Sequence, residues 1–150
     1  MPDSSSEEIK AVDVAIGVLL KNTENGIQIL IARRPNDAVL GGYWEMPGGK
    51  VEPDETISEC VVREFMEEVG VHVAVGEALP IVEHKYPYAF VRLHPFFCSH
   101  VDGAPQNLAV VEHKWVTPTE LCQYEFPPAN DDLMEEIVEC LERLDVSELT

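Results

Sequence analysis

The sequence predicts an α/β (α+β) domain, and three observations carry that expectation. Aliphatic runs of strand length recur along the chain, the first two joined by a cluster of turn formers. Two other stretches place apolar residues three to four positions apart, as helices do. Helix-starting and helix-stopping residues bracket the first of these stretches. The length, 150 residues, suits one compact domain with one core, so the expected organisation is a single domain over 1–150 with residues 1–9 as a tail.

The elements follow in order. "VDVAIGVLL" (Val12–Leu20) and "IQILIARR" (Ile27–Arg34), joined by "NTENG" (Asn22–Gly26), read as a β-hairpin. The stretch "RPNDAVLGGYWEMPGG" is rich in Pro and Gly and reads as loop, with a short strand at Tyr43–Met46. Thr56 and Glu59 then form a capping box that starts a helix, and Gly70 stops it. Ile57, Val61, Phe65 and Val69 make its apolar face, supported by Val62 and Met66. "VHVAV", "LPIVEHKY" and "FVRLHPFFCSHV" read as strands, Pro95 marking the last as an edge or a bulge. In "HKWVTPTEL" a strand leads into a short helix started by Thr117, Pro118 and Glu120. A last helix covers Asp131–Leu144, with Leu133, Ile137, Leu141 and Leu144 facing inward.

Composition narrows the function classes. The formal net charge of −18 argues against a polymeric nucleic-acid surface, which needs Lys and Arg on the phosphates. An anionic ligand would need something positive between itself and this chain, and a divalent cation fills that role. No apolar run approaches the length that spans a membrane. The start "MPDSSSEEIK" lacks the basic and apolar regions of a signal peptide, so a cytoplasmic location is expected. Cys60, Cys98, Cys122 and Cys140 are scattered and form no C-x-x-C pair, which points to buried, reduced thiols rather than zinc or disulfides.

Glu64, Glu67 and Glu68 lie at helical spacing and share one patch beside the apolar face. In water each like-charged neighbour costs a few tenths of a kcal/mol. One reading is a solvated face of an acidic protein. The other is a site for Mg²⁺ or Mn²⁺, hard cations that take carboxylate oxygens and leave positions for substrate phosphates. Gly48 and Gly49 lie just before the helix, where a carbonyl can approach a metal with no Cβ in the way, or where a turn simply needs them.

Gly49, Glu55, Arg63, Glu64, Glu67, Glu68 and Gly70 fit the pattern G-x5-E-x7-R-E-U-x-E-E-x-G-U without a gap, Phe65 and Val71 filling the bulky apolar U positions. Seven fixed letters at ordinary frequencies coincide by chance on the order of 10⁻⁸ per starting position. The segment resembles the Nudix box. "VAIGVLL", "ARRP", "WEMPGGKVE", "VRLH" and "FPPAN" extend the likeness, in order, to the MutT branch of the Nudix hydrolases.

That resemblance implies a mixed β-sheet sandwiched between α-helices. It implies a Mg²⁺- or Mn²⁺-dependent enzyme converting a nucleoside triphosphate to monophosphate and pyrophosphate. Glu64, Glu67 and Glu68, with the carbonyl of Gly49, would hold the metal, and Glu64 would take the proton of the attacking water. Arg63 would brace the acidic loop through Glu55. Glu112 is the candidate for a further acid from outside the box, against a surface residue. Arg34 resembles an arginine near the phosphates, against one that merely ends a strand. Met46, Tyr86, Val91, Pro127 and Asn130 match base-pocket positions, with core packing as the plain alternative for the apolar ones.

Asn130 has one amide donor group and one acceptor. Guanine shows two acceptors, O6 and N7, on its major-groove edge. In 8-oxoguanine N7 carries hydrogen, so one Asn bonds both atoms. Its position equally suits a helix cap. The expected function is therefore hydrolysis of 8-oxo-dGTP or a related oxidised purine nucleotide, which would sanitise the nucleotide pool and serve DNA repair. The expected partner is a small nucleotide, with no membrane and no polymeric nucleic acid, and the chain is a monomer or homodimer. The rivals are another substrate, such as ADP-ribose or a dinucleoside polyphosphate, and a nucleotide-binding Nudix module without turnover.

Overall fold

The computed structural model describes residues 11–37, 41–87 and 89–143. The expected tail over 1–9, the inward-facing Leu144 and the end of the last helix lie outside them. Strands β1 (Ala11–Thr23) and β2 (Gly26–Arg33) form the expected hairpin, in register from Leu20–Ile29 to Thr23–Gly26. The Thr23 hydroxyl closes the turn, donating to the Gly26 carbonyl at 2.7 Å.

Strands β3 (Trp44–Glu45) and β4 (Gly48–Lys50) follow, then helix α1 (Ile57–Val69). After the helix come β5 (His72–Ala78), β6 (Val82–Lys85), β7 (Phe90–Asp102) and β8 (Glu112–Val116). Two 3₁₀ turns, Pro118–Gln123 and Pro128–Asn130, precede helix α2 (Asp131–Arg143). The strands form one mixed sheet with the path β3-β2-β1-β7-β5, to which β4 adds on β1, β6 on β7 and β8 on β2. β1 and β7 are parallel from Ala11–Phe90 to Leu19–Cys98; the other pairs are antiparallel.

Side chains alternate along β1, so the sheet serves two layers. Ala15 and Leu19 meet Val61, Phe65 and Val69 of α1. Ile16, Val18 and Leu20 join Leu133 and Ile137 of α2 on the other face. The apolar interior is thus split by the sheet into two clusters rather than gathered into one core. Full burial of a side chain such as Phe65 or Leu133 contributes about 1.5–3 kcal/mol.

Several local expectations are corrected. Gly48–Gly49 form a strand on β1 instead of a loop, because the edge of β1 left open by β2 accepts them. Of the two readings of Pro95, an edge or a bulge, only the edge fails: β7 is paired on both sides. Pro95 sits where β5 gives way to β6, its carbonyl accepting from Leu79 N–H at 2.9 Å, and β5 shifts register there between Val75 and Ala78. Met66 is 47% exposed, since it lies roughly 100° around the helix from Phe65. Glu68 takes a place in the buried face, seven residues on from Val61 and three from Phe65. Cys60, Cys98 and Cys140 are buried thiols, but Cys122 is exposed on the first 3₁₀ turn. Among the described residues no helix is long and apolar enough to cross a membrane.

Candidate active site

Helix α1 carries the acidic residues, and its ends are fixed locally. The Thr56 hydroxyl accepts from Glu59 N–H at 3.1 Å, and the Glu59 carboxylate accepts from Thr56 N–H at 2.8 Å. Gly70 adopts φ +70°, a left-handed conformation that costs a residue with a Cβ strain, and its N–H bonds the Met66 carbonyl. Beyond it, the N–H groups of Leu108 and Ala109 both bond the Glu68 carbonyl at 3.1 Å. The segment before β8 therefore pins the backbone of Glu68.

The three glutamates are graded in depth. Glu68 is 8% exposed, the Glu64 side chain 16% and the Glu67 side chain 56%. The spacing puts all three in a patch distinct from the apolar face; Glu68 instead projects into that face. Its Oε2 accepts from Gly48 N–H at 3.4 Å, and its Oε1 is buried without a hydrogen-bond partner. Burial, reinforced by the nearby Glu45 and Glu64 carboxylates, pushes the Glu68 carboxyl up to about 10.

Arg63 spans the outer part of this cluster. Its Nε donates to Glu55 Oε2 at 2.6 Å and its Nη2 to Glu55 Oε1 at 3.0 Å. Its Nη1 reaches Glu64 and Glu67, both at 3.1 Å. The guanidinium fork holds the Glu55 carboxyl down at about 2. Gly49 lies directly against the Glu64 carboxylate, which a methyl group at that position would overlap.

Glu45 is an acid that sequence patterning does not single out. Strand β3 pairs it with Ala32 of β2, so it points toward the α1 face. Arg34 Nη1 donates to both its oxygens at 3.2 Å. Burial raises its carboxyl to about 7 despite that arginine, and Glu64 contributes in the same direction. The only local signal is a single acid between Trp44 and Met46, just before the double glycine.

Glu112 is not brought to this cluster. Register pairs it with Arg33, whose Nε donates to its carboxylate at 3.0 Å. Arg33 and Ala32 are consecutive on β2, so Glu112 and Glu45 leave the sheet on opposite faces.

Hard oxygen donors, a buried carboxylate oxygen lacking a partner and a glycine whose missing Cβ leaves room for the Glu64 carboxylate together fit a Mg²⁺ or Mn²⁺ ion. Among the described residues no three metal-ligating side chains converge as they stand, because Glu64 and Glu67 are turned onto Arg63. Loading an ion therefore requires those two carboxylates to leave the guanidinium.

The residues expected around a base gather on the α2 face. Met46 and Ala129 are buried in that cluster, and Tyr86 and Val91 pack against it. Pro127 is buried beside them in sequence, and Asn130 is 6% exposed. The Asn130 side chain caps no helix and has no hydrogen-bond partner among the described residues; its backbone N–H donates to the Pro127 carbonyl at 2.9 Å. Its amide atoms are not among the buried side-chain atoms that lack a partner, so they keep access to solvent or to a ligand.

A family model described as NUDIX domain matches residues 16–136. The CTP pyrophosphohydrolase of Escherichia coli K12 is 34% identical over 85% of this chain and 91% of its own. The 8-oxo-dGTP diphosphatase of the same organism is 33% identical over 84% of this chain and 95% of its own. The solution structure of the E. coli ORF135 protein superposes with a TM-score of 0.78 at 29% identity, covering 95% of this chain and 97% of that one. The chain belongs to the Nudix hydrolase family and is an enzyme of that class.

Proposed function

We propose that this Nudix hydrolase is a Mg²⁺- or Mn²⁺-dependent nucleoside triphosphate pyrophosphohydrolase of MutT type. Its substrate in this reading is 8-oxo-dGTP or a related oxidised purine nucleotide, cleaved to monophosphate and pyrophosphate in the cytoplasm. The family and the donor set support the reaction class. The observation that carries the base assignment is Asn130, a largely buried residue beside Met46, Tyr86 and Val91 whose side-chain amide is not taken up by the described residues.

Glu64, Glu67, Glu68 and the Gly49 carbonyl would hold the cation, which supplies neutralisation of phosphate charge and a bound water of lowered pKa. Glu64, less buried than Glu68 and free to turn off Arg63, accepts the proton of the attacking water. Arg34 waits on Glu45 and meets the phosphates. Arg63 and Glu55 brace the loop and touch no substrate. Asn130 donates to O6 and accepts from the N7 hydrogen of the oxidised base.

A second reading has specific support: the CTP pyrophosphohydrolase resembles this chain as well as the 8-oxo-dGTP diphosphatase does. Cytosine also presents one donor beside one acceptor, which an Asn amide can match. Measuring kcat/KM for 8-oxo-dGTP, dGTP, CTP, ADP-ribose and a dinucleoside polyphosphate separates the readings. The proposal expects 8-oxo-dGTP to exceed dGTP by up to about 10⁴-fold, the scale reached when a site requires a hydrogen bond. Equal rates on 8-oxo-dGTP and dGTP, or a clear preference for CTP, would remove the sanitation role.

A further inference from the structure

The segment that carries Asn130 is tied to the rest of the fold at both ends. At its start, Trp44 N–H donates to the Glu125 carbonyl at 2.8 Å, and the Trp44 and Tyr124 rings meet edge-on with centroids 5.0 Å apart. At its far end, Ala129 N–H donates to the Tyr86 hydroxyl oxygen at 3.2 Å. Ala129 directly precedes Asn130 and is itself buried, so this oxygen satisfies a donor that water reaches poorly. Tyr86 is placed in turn by β6. Its N–H donates to the Ala89 carbonyl at 2.7 Å, and its ring stands edge-on to His84 with centroids 4.4 Å apart.

We propose that Tyr86 is a positioning residue for base selection, acting through Ala129 on Asn130 rather than by touching the base. The inference rests on the reading of Asn130 as the group that selects the base. Two hydrogen bonds from one amide need that amide at one depth and one tilt, and displacement of about 1 Å abolishes the advantage of the pair. The tyrosine ring fills space against the α2-side cluster. Its oxygen holds the Ala129 N–H, one residue from Asn130. Without it the Ala129 N–H is left unpaired, and the turn must shift to hydrate it.

Tyr86→Phe removes that oxygen and keeps the ring. The readout is the ratio of kcat/KM for 8-oxo-dGTP to that for dGTP, measured in wild type, Tyr86→Phe, Asn130→Ala and the double variant. Tyr86→Phe is expected to lower the ratio about 3–10-fold, mostly through KM for the oxidised substrate. In the Asn130→Ala background the same change is expected to do nothing further to the ratio, because the group it positions is gone. An unaltered ratio in Tyr86→Phe overturns the proposal. So does an equal additional loss in the double variant, which would make the tyrosine act independently of Asn130. A wild type that does not prefer 8-oxo-dGTP over dGTP overturns the functional reading instead. The same cycle on CTP against UTP then judges Tyr86 by the same two outcomes.

Discussion

Replacing Glu68 by Gln should stabilise the metal-free protein while disabling it. Glu68 is 8% exposed, its Oε1 has no partner, and the Glu45 and Glu64 carboxylates press on it. An unsatisfied buried group costs about 1–3 kcal/mol, with charged groups at the upper end. Gln keeps the shape and can still accept from Gly48 N–H. With its carboxyl raised to about 10, Glu68 must take up a proton to be buried near neutral pH, a cost that Gln, neutral throughout, does not carry. The net gain expected is about 2 kcal/mol, or about 4–8 °C in Tm for a chain of this size. Thermal melts in chelator measure it directly. Saturating Mg²⁺ should reverse the order: at 100 times Kd a bound ligand adds about 2.7 kcal/mol to the wild type, and much less to a variant that has lost a ligand. Turnover should fall by roughly 10²–10³. A Glu68→Gln protein that melts below wild type in chelator, or that gains as much from Mg²⁺, would refute the idea that this carboxylate is held in reserve for a cation.

Other expectations follow from the same geometry. Gly49→Ala pushes the flexible end of Glu64 aside rather than backbone, so Tm should barely move while kcat/KM falls about 10–100-fold, the scale of a misdirected metal ligand. Glu45→Gln should cost at least about tenfold in kcat/KM by loosening the two-oxygen hold that aims Arg34, whereas Glu112→Gln should stay within about threefold of wild type, since Glu112 pairs with Arg33 on the other face. Steady-state assays on the two variants side by side decide which acid from outside the box belongs to the site. Asp13, held by His94 and Arg92, has its carboxyl below the usual value. A depressed folded pKa gives stability that is present above the unfolded value near 3.8 and is lost as pH falls through the folded value. The Tm difference between wild type and Asp13→Asn should therefore hold above about pH 4 and shrink below it.

The sequence is most legible where the chemistry is local. A capping box and its stop glycine are set by near neighbours, so residue type and spacing alone locate Thr56, Glu59 and Gly70. The seven box residues are contiguous enough to be read as a pattern. The graded depth of the three glutamates is less visible. Met66 lies roughly 100° and Glu68 roughly 60° around the helix from Phe65, on opposite flanks of the apolar face, and hydropathy alone favours the methionine. Glu45 is invisible because its burial is made by others: β2 pairs with a two-residue strand and α1 closes over it. The double glycine reads as a turn by composition, yet the open edge of β1 makes it a strand. Cys122 falls on a turn instead of in the core because a 3₁₀ segment replaces the helix that would bury one face.

The most direct measurement is a crystal soaked with Mn²⁺ and a nucleoside monophosphate, viewed in the manganese anomalous signal. The expected result is a peak bonded to the Gly49 carbonyl and to Glu68 Oε1, with Glu64 and Glu67 swung off Arg63 to join it. Clean maps in which Glu64 and Glu67 stay on Arg63, and no anomalous peak lies near Glu68, would contradict the account.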